Sequence, residues 1–195
     1  MCLGVICMPK WTDFGLRKIN NNDLSLILEW RNSERIRKNM YTEHIISWEE
    51  HKAWYERLQE VMEDIYLVFE YKNIPIGLVY FTDIDNYNGT SFWGFYIGDC
   101  SAPRVSGAIM GFLGAEYAFS KINIRKLCGE TFASNEGGKN FHIRLGFKEE
   151  GYFVKHVFKK EKYENVFRFA LFSDEWHEKR EYIKEIISKK VIEDK

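Results

Sequence analysis

The chain has few cysteines. Cys2, Cys7, Cys100 and Cys128 form no CxxC pair and no zinc-like spacing with histidine. That speaks against a disulfide scaffold and a metal site, and the four read as reduced thiols of a cytoplasmic protein. An excess of one charge is lacking too. The 28 Lys and Arg are balanced by 29 Asp and Glu, for a net charge of −1, so no broad nucleic-acid or anionic-membrane footprint is expected; local basic groups can still hold phosphates. No apolar run reaches the roughly 20 residues of a membrane helix, and the apolar opening MCLGVICMPKW lacks the basic flank of a signal peptide. There is no repeat and no low-complexity linker.

What is present is a chain of 195 residues, 45% hydrophobic and 16% aromatic. That composition fits a single soluble domain over 1–195, with a core from about 12 to 173 and a charged C-terminal helix over 174–195. Hydrophobic periodicity gives the order of elements. A strand at 12–19 leads through Asn20–Asn22, which can cap a helix from Asp23 that is kinked near Asn32-Ser33 and ends near Asn39. Ser47-Trp48-Glu49-Glu50 is a capping box opening a helix over 48–61; Trp48 and Trp54 are read as core. Strands follow at 66–70 and 74–85, joined by a hairpin, and, after the Asn88-Gly89 turn, at 90–98. Two last strands, 147–156 and 164–173, precede the terminal helix, whose apolar side is Trp176, Tyr182, Ile183, Ile186 and Ile187. That helix packs on the body or makes a homodimer contact.

The most informative stretch is Asp99 to Phe147. A turn at 99–104 leads into a helix from Ser106 to about Ser120, a strand at 127–133, and a helix at 136–145 closed by Gly146. The first turn, Arg104-Val105-Ser106-Gly107-Ala108, combines free backbone N–H groups, the helix dipole and a bare glycine, which suits an anion such as a pyrophosphate. Gly107 and Gly111 serve equally well for close helix–sheet packing. In the second helix Asn135, Lys139-Asn140-Phe141-His142 and Leu145-Gly146-Phe147 follow at fixed spacing.

Here the chain resembles the GNAT superfamily of acyl-CoA N-acyltransferases. The resemblance implies an α/β GNAT fold: a mixed central sheet, splayed between its two middle strands, with helices on both faces. It implies acetyl-CoA as co-substrate, with Arg104, Val105, Ser106, Gly107, Ala108 and Ile109 as the pyrophosphate loop. Ile109 departs from the small residue that usually ends that loop. Asn135 and Asn140 would contact the cofactor, and Tyr96 or Ile97 would supply the oxyanion donors. His142 occupies the position of the family's tyrosine acid. Histidine's ordinary pKa suits proton donation near neutrality, although an exposed bystander is an equal reading. For the base, Glu130 and Tyr80 are candidates, each also explained by an ordinary place in a sheet.

The N-terminal third, with Glu29-Trp30-Arg31-Asn32, Met40-Tyr41 and Ser47 to His51, resembles the branch that acetylates the 4-amino group of a UDP-linked 4-amino-4,6-dideoxy sugar in pseudaminic-acid biosynthesis. The implied acceptor contacts are Arg31, Met40, Tyr41, His51, Tyr80 and Thr82. Arg31 suits a diphosphate because its planar fork binds two oxygens; a surface ion pair is the plainer reading. An N-terminal protein acetyltransferase of the ribosomal-protein type, an enzyme for another small amine and a non-catalytic acyl-CoA-binding module remain alternatives.

Overall fold

The computed structural model describes residues 9–61 and 63–193, with only the backbone of 190–193. Cys2, Cys7 and the apolar N-terminal run lie outside the described residues. The first half contains strand β1 (Phe14–Lys18), helices α1 (Leu24–Asn32), α2 (Glu34–Arg37) and α3 (Trp48–Val61), and strands β2 (Ile65–Tyr71) and β3 (Ile74–Asp85). The second half contains β4 (Thr90–Ile97), α4 (Ser106–Tyr117), β5 (Lys126–Phe132), α5 (Glu136–Arg144), β6 (Lys148–Lys159), β7 (Lys162–Phe172) and α6 (Ser173–Glu193). The local signals act as their chemistry dictates. Asn20 Oδ1 accepts from the Asn22 N–H at 2.9 Å, and Ser47 Oγ accepts from the Glu50 N–H at 3.1 Å. Ser33 adopts an extended backbone and breaks α1 from α2. Gly89 takes the left-handed conformation (φ +62°) that its turn requires.

The seven strands form one sheet in the order β1-β2-β3-β4-β5-β7-β6. All neighbours are antiparallel except β4 and β5, which run parallel and pair only at Thr90–Lys126, Ser91–Leu127 and Phe92–Cys128. Beyond those three pairs the strands diverge, and a splayed gap opens at the middle of the sheet. Two apolar layers flank it. By two-residue alternation, Leu67, Phe69, Val79 and Phe81 face α4 and α6, where Ile109, Met110, Phe112 and Trp176 are buried. Val68, Leu78 and Tyr96 face α1–α3, against Ile27, Trp30 and Ile36. The mixed α/β GNAT architecture expected above is the one observed.

Three expectations are corrected. Trp48 is 46% exposed, because α3 turns that position away from the sheet. In α6 only part of the expected apolar side is covered: Trp176, Ile183 and Ile187 are buried, while Tyr182 is 68% exposed. Finally, β6 and β7 are longer than expected and extend to a turn at Lys160-Glu161, both left-handed. The β6 run continues past a kink at Lys155, whose displaced N–H is recovered by Asn165 Oδ1 at 2.7 Å.

Candidate active site

Two cavities meet at the splay. One, of about 720 Å³, fills the gap itself and is lined by Thr82, Phe92 to Ile97, Glu130, Thr131, Asn135, Gly138, His142 and Arg168, among others. The other, of about 380 Å³, lies under α1 and α3 and is lined by Arg31, Thr42, Glu50, His51, Trp54, Arg57 and Tyr66, among others. Met40, Tyr41, Tyr80 and Tyr96 line both. These four side chains therefore stand at the boundary through which any group passes between the cavities.

Tyr80 owes its position to a glycine. In the β3–β4 register it stands opposite Gly94, and a Cβ at Gly94 would lie 2.2 Å from the Tyr80 hydroxyl. Its ring thus lies across the β4 backbone, where the strand has lost β5 as a neighbour. Burial holds its pKa above the ordinary phenol range, so near neutrality it is a neutral hydroxyl able to donate and accept.

His142 lines the splay, but in a form unlike the expected acid. It is 3% exposed, stacked on Phe169 at 4.9 Å and edge-on to Trp93. Burial pushes its pKa down to about 4. Nδ1 lies 2.8 Å from the Gly138 carbonyl, which fixes the proton on Nδ1 and leaves Nε2 without one, buried and unpartnered. A neutral imidazole in that tautomer has no proton to give the cleft, so the argument from histidine's ordinary pKa fails here. Glu130 also lines the cleft, yet its carboxylate is already engaged. It accepts from Arg168 Nε at 2.8 Å and Nη2, and from the Tyr41 hydroxyl. That network fixes Tyr41 at the boundary and leaves Glu130 poorly placed to take a proton.

The loop before α4 has the features of an anion cradle. Ile109 and Val105 are buried in the core, so those positions offer only their backbone; the Ile109 departure is a packing choice. Ser106 is buried, and its Oγ has no partner. A Cβ at Gly107 would meet nothing within 4 Å, so the peptide there is open, and the Gly107 and Ala108 N–H groups have no carbonyl one turn back within the helix. Gly111 instead is a packing glycine, its Cβ position 2.5 Å from Phe141. Arg104 is exposed beside the loop. Asn135 lines the cleft and caps α5, its Oδ1 accepting from the Gly138 N–H at 3.0 Å. Asn140 is exposed and lines neither cavity.

The second cavity gathers five of the six expected acceptor residues, Arg31, Met40, Tyr41, His51 and Tyr80. Arg31 donates through Nη2 to the Thr42 hydroxyl (2.6 Å) and carbonyl (3.1 Å), while Nη1 is buried with no partner. His51 is buried, stacks on Trp54 at 5.0 Å, and has an unpartnered Nε2 and a pKa lowered by burial. Met40 and Tyr41 complete the wall. Thr82 lies in the splay instead. The sequence reading missed Arg57, Tyr66 and Arg168, and it gave Trp54 to the core, on whose edge Trp54 packs while also lining the cavity. Their only signal as lining residues was helical or strand spacing from residues already chosen, such as Trp54 one turn beyond His51.

A parallel pair of strands parting beside an open helix N-terminus defines a thioester-binding acyltransferase frame. The comparisons agree. Residues 16–166 match the Acetyltransferase (GNAT) domain, and the chain belongs to that family: it is an N-acetyltransferase whose acyl donor is acetyl-CoA. It is 27% identical over 132 residues, 64% of this chain and 71% of the relative, to the SPbeta prophage-derived uncharacterized N-acetyltransferase YokL of Bacillus subtilis (strain 168). In fold it is similar to the spermidine N-acetyltransferase of Vibrio cholerae solved with CoA and spermine, with TM-score 0.81 and 20% identity over 85% of this chain and 99% of that one. A dodecameric form of that enzyme in an intermediate state matches with TM-score 0.70 and 20% identity, over 85% of this chain and 96% of that one. Family membership removes the non-catalytic binding-module alternative.

Proposed function

We propose that this enzyme acetylates an amine carried by a phosphate-bearing small molecule, specifically the 4-amino group of a UDP-linked 4-amino-4,6-dideoxy sugar of the pseudaminic-acid type. The observation that carries the reading is the charge of the acceptor cavity. Arg31 and Arg57 line it against one carboxylate, Glu50, and that carboxylate is paired with His44 at 2.9 Å. Arg31 Nη1 is buried without a partner, an uncompensated donor that a phosphate oxygen would satisfy. His51 Nε2 stands in the same wall. A polyamine, the ligand of the Vibrio cholerae structure, would instead meet two guanidinium groups. Trp54 and Tyr66, packed edge to face with centroids 4.9 Å apart, give the cavity an aromatic wall against which a planar base can pack.

In this reading the pyrophosphate of acetyl-CoA lies on the Gly107-Ala108 peptide beside Arg104, with Asn135 along the cleft. The amine nitrogen attacks the thioester carbonyl, whose oxygen is held by the Ile97 backbone N–H on the unpaired β4 edge; the Tyr96 N–H, by alternation from the Gly98 N–H to Ile76 carbonyl bond, points to β3. As the C–S bond breaks, the Tyr80 hydroxyl gives its proton to sulfur and receives the one leaving the nitrogen. No phenolate accumulates, which agrees with a phenol held neutral by burial. Tyr80 thus takes the acid role that His142 cannot fill.

Thiol release from acetyl-CoA, measured with a UDP-4-amino-4,6-dideoxy sugar, spermidine and an N-terminal peptide panel in parallel, tests the assignment. Turnover on the sugar nucleotide alone is expected. Arg31→Ala then raises the acceptor KM by about 30-fold, the loss of one charge-assisted contact, and leaves acetyl-CoA affinity unchanged. Turnover on the polyamine or peptides alone overturns the acceptor assignment and leaves the CoA site standing.

A further inference from the structure

The wall between the two cavities is a segment without regular structure, residues 38–46, and it carries Met40 and Tyr41. Most of its ties are to its own neighbours. Arg31 holds Thr42, Arg37 Nη1 donates to the Glu43 carbonyl at 2.7 Å, and Asn32 exchanges two bonds with Ile46, each 2.9 Å. Two ties come from across the splay: the Tyr41 hydroxyl donates to Glu130 of β5, and a lysine reaches in from the edge strand β6. Lys159, the last residue of β6, has a side chain only 6% exposed. Its Nζ donates to the Lys38 carbonyl at 2.5 Å and to the Met40 carbonyl at 2.6 Å, and lies 3.5 Å from Glu43 Oε1. It also sits over the Phe132 ring at 4.4 Å, and Phe132 in turn meets the Tyr41 ring edge-on at 5.4 Å.

A buried ammonium is unfavourable unless its protons are matched. Here two carbonyls, a carboxylate and a ring face match it, and all but the ring belong to one six-residue stretch of the wall. The reach is set by the β6–β7 hairpin, whose left-handed turn at Lys160-Glu161 follows at once. Lys159 lines neither cavity, so its effect on substrate is indirect. We infer that Lys159 is a positioning residue: it straps the segment 38–43 across the splay and so sets the aperture between the thioester cleft and the acceptor pocket. The kinetic part of this inference rests on the acetyl-transfer reading; the structural part does not.

The test compares wild type with Lys159→Met, which keeps the stem and removes the donors, and Lys159→Arg, which restores a cation. Hydrogen exchange, CoA binding by calorimetry and kinetics with the acceptor identified above are measured on each. In Lys159→Met, amides of 38–46 are expected to exchange roughly 10-fold faster while those of α4 and β5 keep their protection. CoA affinity stays within about twofold, and the acceptor KM rises about 10-fold with kcat changed by less than about threefold. Lys159→Arg recovers most of the loss. Should Lys159→Met fail to fold, Glu43→Gln, at the half-buried rim of the strap, is read the same way with a factor of about 3. Unchanged exchange over 38–46, a rise shared by the whole sheet, or an unchanged acceptor KM overturns the strap. Absence of CoA binding in the wild type would overturn the acetyl-transfer reading, and the exchange data would still decide the strap.

Discussion

At the scale of the residue, Tyr80 and Gly94 act as a pair. The hydroxyl can lie across β4 because position 94 has no Cβ to displace it. Tyr80→Phe removes the hydroxyl and keeps the ring that stacks on Tyr66 at 5.2 Å. kcat is expected to fall by about 100-fold, the usual size of a lost proton-transfer group, with little change in thermal midpoint or acetyl-CoA affinity. Gly94→Ala is expected to lower kcat by about 10-fold or more by pushing the same hydroxyl off its position. Steady-state kinetics and calorimetry on both variants check this; a Tyr80→Phe enzyme of normal kcat removes the relay. His142 is a different kind of residue. It contributes a packed ring and a fixed neutral imidazole, in an aromatic cage of Trp93, Phe147 and Phe169.

At the scale of the element, α4 does two jobs, one with its middle and one with its first turn. Its middle is packed, with Ile109, Met110, Phe112 and Ala115 at 5% exposure or less. Its first turn is open at Gly107. Two substitutions separate those jobs. Gly107→Ala puts a methyl into open space and is expected to leave the fold intact and acetyl-CoA binding within about threefold, because Ala favours a helix by about 1 kcal/mol over Gly. Gly107→Glu places a carboxylate where the pyrophosphate is to sit and is expected to abolish acetyl-CoA binding while circular dichroism stays unchanged. Calorimetric titration that shows normal affinity in Gly107→Glu would move the cofactor away from this helix. The splay beside α4 is likewise a property of elements: β4 has eight residues and β5 seven, but they share only three pairs.

At the scale of the whole molecule, burial of His142 links stability to pH. Its pKa is about 4 in the folded protein against an ordinary 6.5. Above pH 6.5 both folded and unfolded forms hold it neutral and it adds no slope. Below that the unfolded chain binds the proton first, so stability falls as pH drops from about 6.5 toward 4, by up to about 3 kcal/mol from this residue. Denaturant unfolding across that range should show the fall in wild type and a flatter profile in His142→Phe. Equal profiles would mean that the imidazole is solvated. Among the described residues no helix is long and apolar enough to cross a membrane. Tyr182, 68% exposed, stands on the outer side of α6 and does not join the core.

The order of elements, the capped helix starts, the Asn88-Gly89 turn and the open glycine at 107 were legible in the amino-acid sequence, because each depends on local periodicity, hydrogen bonding or backbone freedom. The grouping of Arg31, Met40, Tyr41, His51 and Tyr80 in one cavity was suggested by the family resemblance and by no local pattern. Tertiary structure decided the rest. Whether an imidazole has a pKa near 6.5 or near 4 depends on the rings packed around it, and those come from β4, β7 and Phe147 in the link between α5 and β6. Whether Glu130 is free or engaged depends on Arg168 and Tyr41, which are 38 and 89 residues away. Lys159 holds carbonyls 119 and 121 residues away, and no local pattern marks it. Local chemistry sets where the elements begin and end; desolvation and long-range pairing, which exist only once the sheet has formed, set what the side chains between them can do.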